Sequence, residues 1–230
     1  MKSALRSALA LGYGAAHGLR NIVFTLIFGF SVAGVAFAAE VPKVLVLGDS
    51  LTAGYGLPQA EGFVPQLQAW LTAQGAQAEV INAGVSGDTT AGGASRLDWS
   101  LSGGAEALIV NLGGNDMLRG LDPLVARNNL TQILHAAQAE GLPVLLVGMI
   151  APGNYGADYK AQFDAIYPDL SAEFGVLLLP AYFAPIALPD GGIDPAFMQA
   201  DGIHPNATGV VRIVEAMGPK VLELLAEVKG

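Results

Sequence analysis

The sequence predicts an α/β fold, with one five-stranded parallel sheet and helices on both of its faces. Three observations carry this reading. Five short, apolar, β-rich runs alternate along the chain with segments whose apolar residues recur at helical spacing. The best of these runs are continuously apolar, as strands covered on both faces are. Glycine-rich polar turns come after them, at the carboxyl ends where ligands bind in such sheets.

The elements are taken in chain order. Lys43–Leu47 (KVLVL), ending in Gly48, is the first strand. Glu61–Gln74 places Phe63, Leu67, Trp70 and Leu71 on one helical face. Ala78–Asn82 is the second strand, Thr89–Leu101 a weaker helix after a Thr-Thr start, and Ala107–Leu112 the third strand. Leu124–Glu140 is a long helix stopped by Gly141 and Pro143. Pro143–Ile150 is the fourth strand, Asp158–Phe174 a helix leaving through Gly175, and Val176–Leu179 the fifth strand. Asn206 or Thr208 caps a last helix running to Val228. No repeat or linker interrupts these elements, so residues 39–230 read as one domain.

Ahead of the domain lies a different kind of segment. Residues 1–20 hold Lys2, Arg6 and Arg20 and no acidic side chain, and Ile22–Ala39 is 18 residues without a charge. Ala36-Phe37-Ala38 then fits a small-x-small cleavage site. Residues 1–38 therefore read as a secretory signal peptide. The alternative is a retained anchor, since 18 residues is near the lower limit for a spanning helix.

Composition narrows the function. The 230 residues include 11 Lys+Arg and 20 Asp+Glu, a net charge of −9. Without Lys2, Arg6 and Arg20 the mature chain has 8 basic and 20 acidic residues, net −12. That balance argues against a nucleic-acid partner, which requires a basic footprint. The absence of cysteine excludes a disulfide framework, a thiol nucleophile and thiolate metal sites. A mean hydropathy of +0.47 raises a membrane question. Outside the leader, however, the uncharged runs 142–156 and 176–189 are broken by Pro and Gly, so no stable membrane insertion is expected after cleavage.

The turns at the strand ends each admit two readings. After the first strand comes Gly48-Asp49-Ser50, whose serine is either a nucleophile presented to a cleft or a helix N-cap. After the second comes Gly84-Val85-Ser86-Gly87-Asp88, where a glycine N–H could face an oxyanion or simply close a turn. After the third comes Gly113-Gly114-Asn115-Asp116, with Asn115 an amide donor or an Asx-turn residue. Near the end, Asp201-Gly202-Ile203-His204-Pro205 sets a carboxylate three residues from an imidazole, and Pro205 keeps His204 out of helical conformation. Jointly these supply a nucleophile, a base, a base-orienting carboxylate and oxyanion donors. Only His135 and His204 remain after the leader. His135 lies mid-helix, which leaves His204 as the base. Asp49 and Asp116 are assigned to hydrogen bonding within their turns.

GDSL (Gly48–Leu51), the Gly of SGDT (Gly87), GGND (Gly113–Asp116) and DGIHPN (Asp201–Asn206) resemble the four blocks of the SGNH/GDSL hydrolase superfamily, in order and spacing. NLGGNDMLRG, NYGADY and FDAIYPDL are similar to its secreted bacterial subgroup of thioesterases, lysophospholipases and arylesterases. The resemblance implies a flavodoxin-like three-layer α/β/α fold and a periplasmic or secreted serine ester hydrolase without cofactor or metal. Its substrate would be a small-molecule acyl ester or thioester, and a monomer is expected. It assigns catalysis to Ser50, Asp201 and His204, and the oxyanion hole to the N–H groups of Ser50 and Gly87 with the Asn115 side chain. Met117–Leu121 resembles a mobile substrate loop, so Met117, Leu118, Leu121 and Tyr155, with Met149 and Ile150, are candidates to line an acyl groove. The segment between Ser50 and Gly87 is longer and richer in glycine than the family pattern, which bears on chain-length preference.

Three rivals remain at this level. A carbohydrate acetylesterase of the same superfamily would need a small acetyl pocket. A metal hydrolase built on Asp201 and His204 is poor in ligands. A flavodoxin-like cofactor binder lacks both GxxxxGK[ST] and a strand-following GxGxxG. An α/β-hydrolase is excluded because Ser50 lies in GDSLTAG, not in GxSxG.

Overall fold

The structure, a computed structural model, describes residues 41–228; the expected signal peptide lies outside the described residues. Five parallel strands form one sheet: β1 (Lys43–Gly48), β2 (Glu79–Gly84), β3 (Ala107–Asn111), β4 (Val144–Val147) and β5 (Leu177–Leu179). Their spatial order is β2-β1-β3-β4-β5. The α-helices among the described residues are α1 (Ser50–Ala53), α2 (Phe63–Ala73), α3 (Thr90–Leu101), α4 (Gly114–Leu118), α5 (Pro123–Ala139), α6 (Ala157–Phe174) and α7 (Ala207–Ala226). The expected α/β sheet with five parallel strands is what folds.

Burial explains which runs became which strands. Every residue of β3 and β4 is buried, and only Lys43 of β1 is not, because these strands have neighbours on both sides and helices on both faces. β2 is an edge strand with mixed burial. Gln68 of α2 covers its free side: Nε2 donates to Ala78 O at 2.9 Å, and Oε1 accepts from Val80 N at 2.8 Å. The side chain thus stands in for a further strand and blunts the edge. α2 packs on α7, while α3, α5 and α6 pack in sequence with one another, giving three layers.

Boundaries differ from expectation where backbone pairing, which hydropathy does not report, sets them. β2 runs two residues past Asn82, because Ala83 and Gly84 still pair with Leu47 and Gly48. β4 stops at Val147 rather than Ile150: the Gly148 N–H donates to Leu179 O at 2.8 Å and its carbonyl accepts from Tyr182 N at 2.8 Å. Met149 then turns into the core and Ile150 out to solvent. Of the two candidate caps for the last helix, Asn206 serves, its Oδ1 accepting from Gly209 N at 3.0 Å.

The chain leaves β1 toward β2 and leaves β3 toward β4, in opposite directions across the sheet. The crevice outside the carboxyl ends of β1 and β3 is therefore the topological switch point, where such sheets bind ligands.

Candidate active site

Ser50 opens α1 directly after β1, at that crevice, and is 9% exposed. Its hydroxyl Oγ lies 2.8 Å from His204 Nε2. The imidazole Nδ1 lies 2.7 Å from Asp201 Oδ2. A carboxylate only accepts, so Nδ1 carries the proton and Nε2 is left as an acceptor for the serine hydroxyl. Asp201 is itself held by its own turn: Oδ1 accepts from Ile203 N at 2.9 Å and from His204 N at 3.0 Å. Gly202, at φ +66°, supplies the left-handed residue this turn contains. The hydrogen bonds from the His204 backbone and ring, with that from Ile203, draw the Asp201 carboxyl down to about 2.

Opposite Ser50, Gly87 sits at φ +86° in the loop after β2. Neither its N–H nor that of Ser50 donates to another group among the described residues. Asn115, second residue of α4, donates through Nδ2 to Asp88 O at 2.9 Å and to Asp49 Oδ2 at 3.2 Å. The structure thus brings Ser50, Asp201 and His204 together, and joins Asn115 to the loop that carries Gly87.

Three ties hold these turns in register. Asp88 takes Arg96 Nε at 2.6 Å, and Arg96 Nη2 donates to Gly48 O at 2.9 Å, so one α3 guanidinium joins the loop after β2 to the end of β1. Arg119 Nη2 donates to Gly87 O at 2.8 Å. Asp49, 2% exposed, takes Leu51 N on Oδ1 at 2.9 Å and Asn115 on Oδ2. Burial pushes its carboxyl up to about 6, against the opposing pull of the Leu51 N–H, Asn115 and His204.

Asp116 corrects one expectation. It closes no local turn; buried, it accepts Thr90 N at 2.8 Å and Thr90 Oγ1 at 2.6 Å, while Asn129 Nδ2 donates to the same Thr90 hydroxyl at 3.0 Å. It fastens α4 to the start of α3 and, through Asn129, to α5. Asp49 does bond within its turn, as expected, but also reaches across to Asn115.

The candidate groove residues divide. Leu118, Leu121 and Tyr155 are exposed apolar side chains on the carboxyl side of the sheet, whereas Met117 is half-buried against the core and Met149 fully buried in it. Tyr155 OH donates to Leu118 O at 3.1 Å, and Gly120 at φ +61° lets the loop pass under the Tyr155 ring. His135 is exposed on α5 with its ring edge-on to Phe174, and takes no part in the site. Among the described residues no three His, Cys, Asp or Glu side chains gather as metal ligands.

Sequence reasoning missed Arg96, Arg119, Gln199 and Tyr55. Gln199 donates its side-chain amide to Tyr55 O at 2.8 Å and to Pro205 O at 2.9 Å, and the Tyr55 ring lies 4.7 Å from the His204 ring, centroid to centroid. Arg119 falls within the Met117–Leu121 stretch but nothing in its spacing singles it out, the other three lie outside the four blocks, and their partners are 32 to 144 residues away in three of these bonds.

Residues 46–211 match the GDSL-like Lipase/Acylhydrolase family. The chain is 40% identical to Esterase TesA of Pseudomonas aeruginosa over 81% of this chain and 91% of that protein. It is 37% identical to thioesterase 1/protease 1/lysophospholipase L1 of Escherichia coli K12, over 82% and 87% respectively. The crystal structure of the psychrotrophic esterase EstA from Pseudoalteromonas sp., inhibited by monoethylphosphonate, superposes with a TM-score of 0.73 at 32% identity, covering 80% of this chain and 98% of that one. With a serine, a histidine and their donors gathered at the switch point of the sheet, and with relatives of this kind along nearly the whole domain, the chain belongs to the GDSL-like lipase/acylhydrolase family of ester hydrolases.

Proposed function

We propose that the chain hydrolyses carboxylic esters and thioesters through an acyl-enzyme on Ser50. The observation that carries this is the unbroken relay from Ser50 Oγ to His204 Nε2 at 2.8 Å and from His204 Nδ1 to Asp201 at 2.7 Å. His204 takes the Ser50 proton as the oxygen attacks the acyl carbonyl, and Asp201 steadies the imidazolium. The tetrahedral oxyanion is met by the N–H groups of Ser50 and Gly87 and by Asn115 Nδ2. His204 then gives its proton to the leaving alcohol or thiol, and water releases the acid by the reverse sequence. Both amide protons of Asn115 have partners in the resting site, so the longer bond, to Asp49, is the one released or shared as the oxyanion forms.

Ser50→Ala tests this directly: hydrolysis of p-nitrophenyl esters should fall by several orders of magnitude, and activity within tenfold of wild type ends the proposal. A chain-length series, run beside an acyl-CoA and a lysophospholipid, assigns the preferred substrate. Leu118, Leu121 and Tyr155 support acyl chains longer than acetyl; turnover of acetyl esters alone would favour the acetylesterase reading instead.

Residues 1–38 are proposed to direct export and to be removed, leaving Ala39–Gly230 as a monomer in the periplasm or medium. The basic start, the uncharged run Ile22–Ala39 and the Ala36-Phe37-Ala38 site support this. Mass spectrometry of the exported protein should find Ala39 or a near neighbour as first residue; an intact membrane-bound chain would establish an anchor.

A further inference from the structure

We propose that Arg96 is a positioning residue for the oxyanion hole: its guanidinium holds the Gly87 and Asn115 donors on the reacting carbonyl and neutralises the Asp88 carboxylate beside them. The inference rests on the oxyanion donors proposed above and adds to them a residue that touches no reacting atom.

The donors are not fixed by their own chain segments. Gly87, at φ +86°, lies in the turn Val85–Asp88, which is closed by a bond from Asp88 N to Val85 O at 3.0 Å. A glycine is free to rotate about φ and ψ, so its N–H keeps one direction only if both ends of the turn are held. The leading end is held by the Val85 N–H, which donates to Gly48 O at 3.0 Å. The trailing end is held through Asp88, whose Oδ2 lies 2.6 Å from Arg96 Nε, while Arg96 Nη2 donates to the same Gly48 O at 2.9 Å. Both ends of the turn are thereby referred to one carbonyl, two residues before Ser50. Asn115 takes the same reference, because its Nδ2 donates to Asp88 O at 2.9 Å. A planar guanidinium can do this because its fork reaches two acceptors at once; an ammonium is a point charge.

Burial and charge add to the geometry. The side chains of Arg96 and Asp88 are only 17% and 18% exposed, so solvent screens this pair less than a surface pair. The carboxylate is seated against Gly92 of α3, where a Cβ would lie 2.5 Å from Asp88 Oδ1. Negative charge gathers on the carbonyl oxygen as Ser50 attacks. An uncompensated carboxylate on the residue after Gly87 would oppose that charge, and Arg96 removes the opposition. The Arg119 bond to Gly87 O meets the same turn from its exposed side, where water competes for the acceptor.

The test compares an ester with its thionoester, in which sulfur replaces the carbonyl oxygen. Wild type, Arg96→Met and Arg96→Lys are assayed, with active sites counted by a serine-reactive phosphonate so that unfolded protein is not included. Donors placed for oxygen serve sulfur poorly, so damage to the hole slows the ester more than the thionoester. Damage to Ser50, to His204 or to the fold slows both alike. Arg96→Met should lower kcat for the ester by about ten- to a hundredfold with little change in KM, and the ester-to-thionoester ratio of kcat/KM by about fivefold or more. Arg96→Lys, which keeps the charge without the fork, should fall between Arg96→Met and wild type. Gly92→Ala, which displaces the Asp88 carboxylate and leaves Arg96 in place, should lower the ratio as well. In an Asn115→Ala background Arg96→Met should cost less than it does alone, because the two act on one group of donors. An unchanged ratio in Arg96→Met, whatever the overall loss, overturns the proposal and makes Arg96 a support of the fold. An unchanged ratio in Asn115→Ala would instead overturn the underlying assignment of the hole.

Discussion

Asp49 shows how much a single residue beside Ser50 is asked to do. Its carboxylate caps α1 through Leu51 N and orients the Asn115 amide, while burial pushes its carboxyl from 3.8 to about 6. The native fold therefore holds the proton more tightly than the unfolded chain does. The stability this group contributes is fully present below pH 3.8 and is lost as pH rises through about 6. Asp49→Asn abolishes that titration, so the stability of the variant relative to wild type should improve by about 3 kcal/mol between pH 4 and 6 and change no further above. Urea unfolding at a series of pH values checks this, and parallel curves for the two proteins would refute it. The same variant should lose kcat, because the new carboxamide, with its oxygen kept on Leu51 N, turns an N–H toward the Asn115 N–H. Asn115→Ala, which removes the side-chain donor itself, should cost about 10²–10³ in kcat with little change in KM.

Among elements, the pairing of α2 with α7 leaves no room for a side chain at one position. Gly218 of α7 faces the Trp70 ring so closely that a Cβ there would lie 2.5 Å from the indole. The two helices can approach only because position 218 has no side chain. Gly218→Ala should therefore destabilise the fold by about 1–3 kcal/mol through overpacking, although alanine is the better helix former. Thermal denaturation gives the answer, and Trp70→Leu in the same chain should recover part of the loss. Periodicity marks both helices, since Phe63, Leu67 and Leu71 are buried on α2 and Ile213, Met217, Val221 and Leu224 on α7. It is silent on Gly218, because a missing side chain leaves no hydropathy signal. The strand ends are likewise beyond it: whether Ala83 pairs or Ile150 turns outward depends on which neighbouring carbonyl is in reach.

For the molecule as a whole, the sheet order β2-β1-β3-β4-β5 puts the turn after β1 beside the turn after β3, and so sets Ser50 near the loop of Asn115. The acidic balance also acts at this scale. With 11 basic and 20 acidic residues, the chain repels polyanions over about a Debye length. Raising salt from about 10 to about 150 mM shortens that length roughly fourfold, so kcat/KM for an acyl-CoA substrate should rise, whereas for a neutral ester it should stay constant. A salt response shared by both substrates would assign the effect to the protein's stability instead.

The five parallel strands, the helices between them and the four turns that hold Ser50, Gly87, Asn115 and the Asp201–His204 pair are all legible along the chain. Those features are local: apolar periodicity, glycine placement and a three-residue Asp–His spacing are written in neighbouring residues. The way the turns are held to one another belongs to the folded molecule alone. Asp116 leaves its own turn for Thr90, Arg96 spans from Asp88 to Gly48, and Gln199 ties Tyr55 to the His204 turn. Each of these bonds depends on which strand lies next to which, and on side-chain reach across that gap. No spacing along the chain encodes such a distance, so these partners become visible only once the sheet has formed.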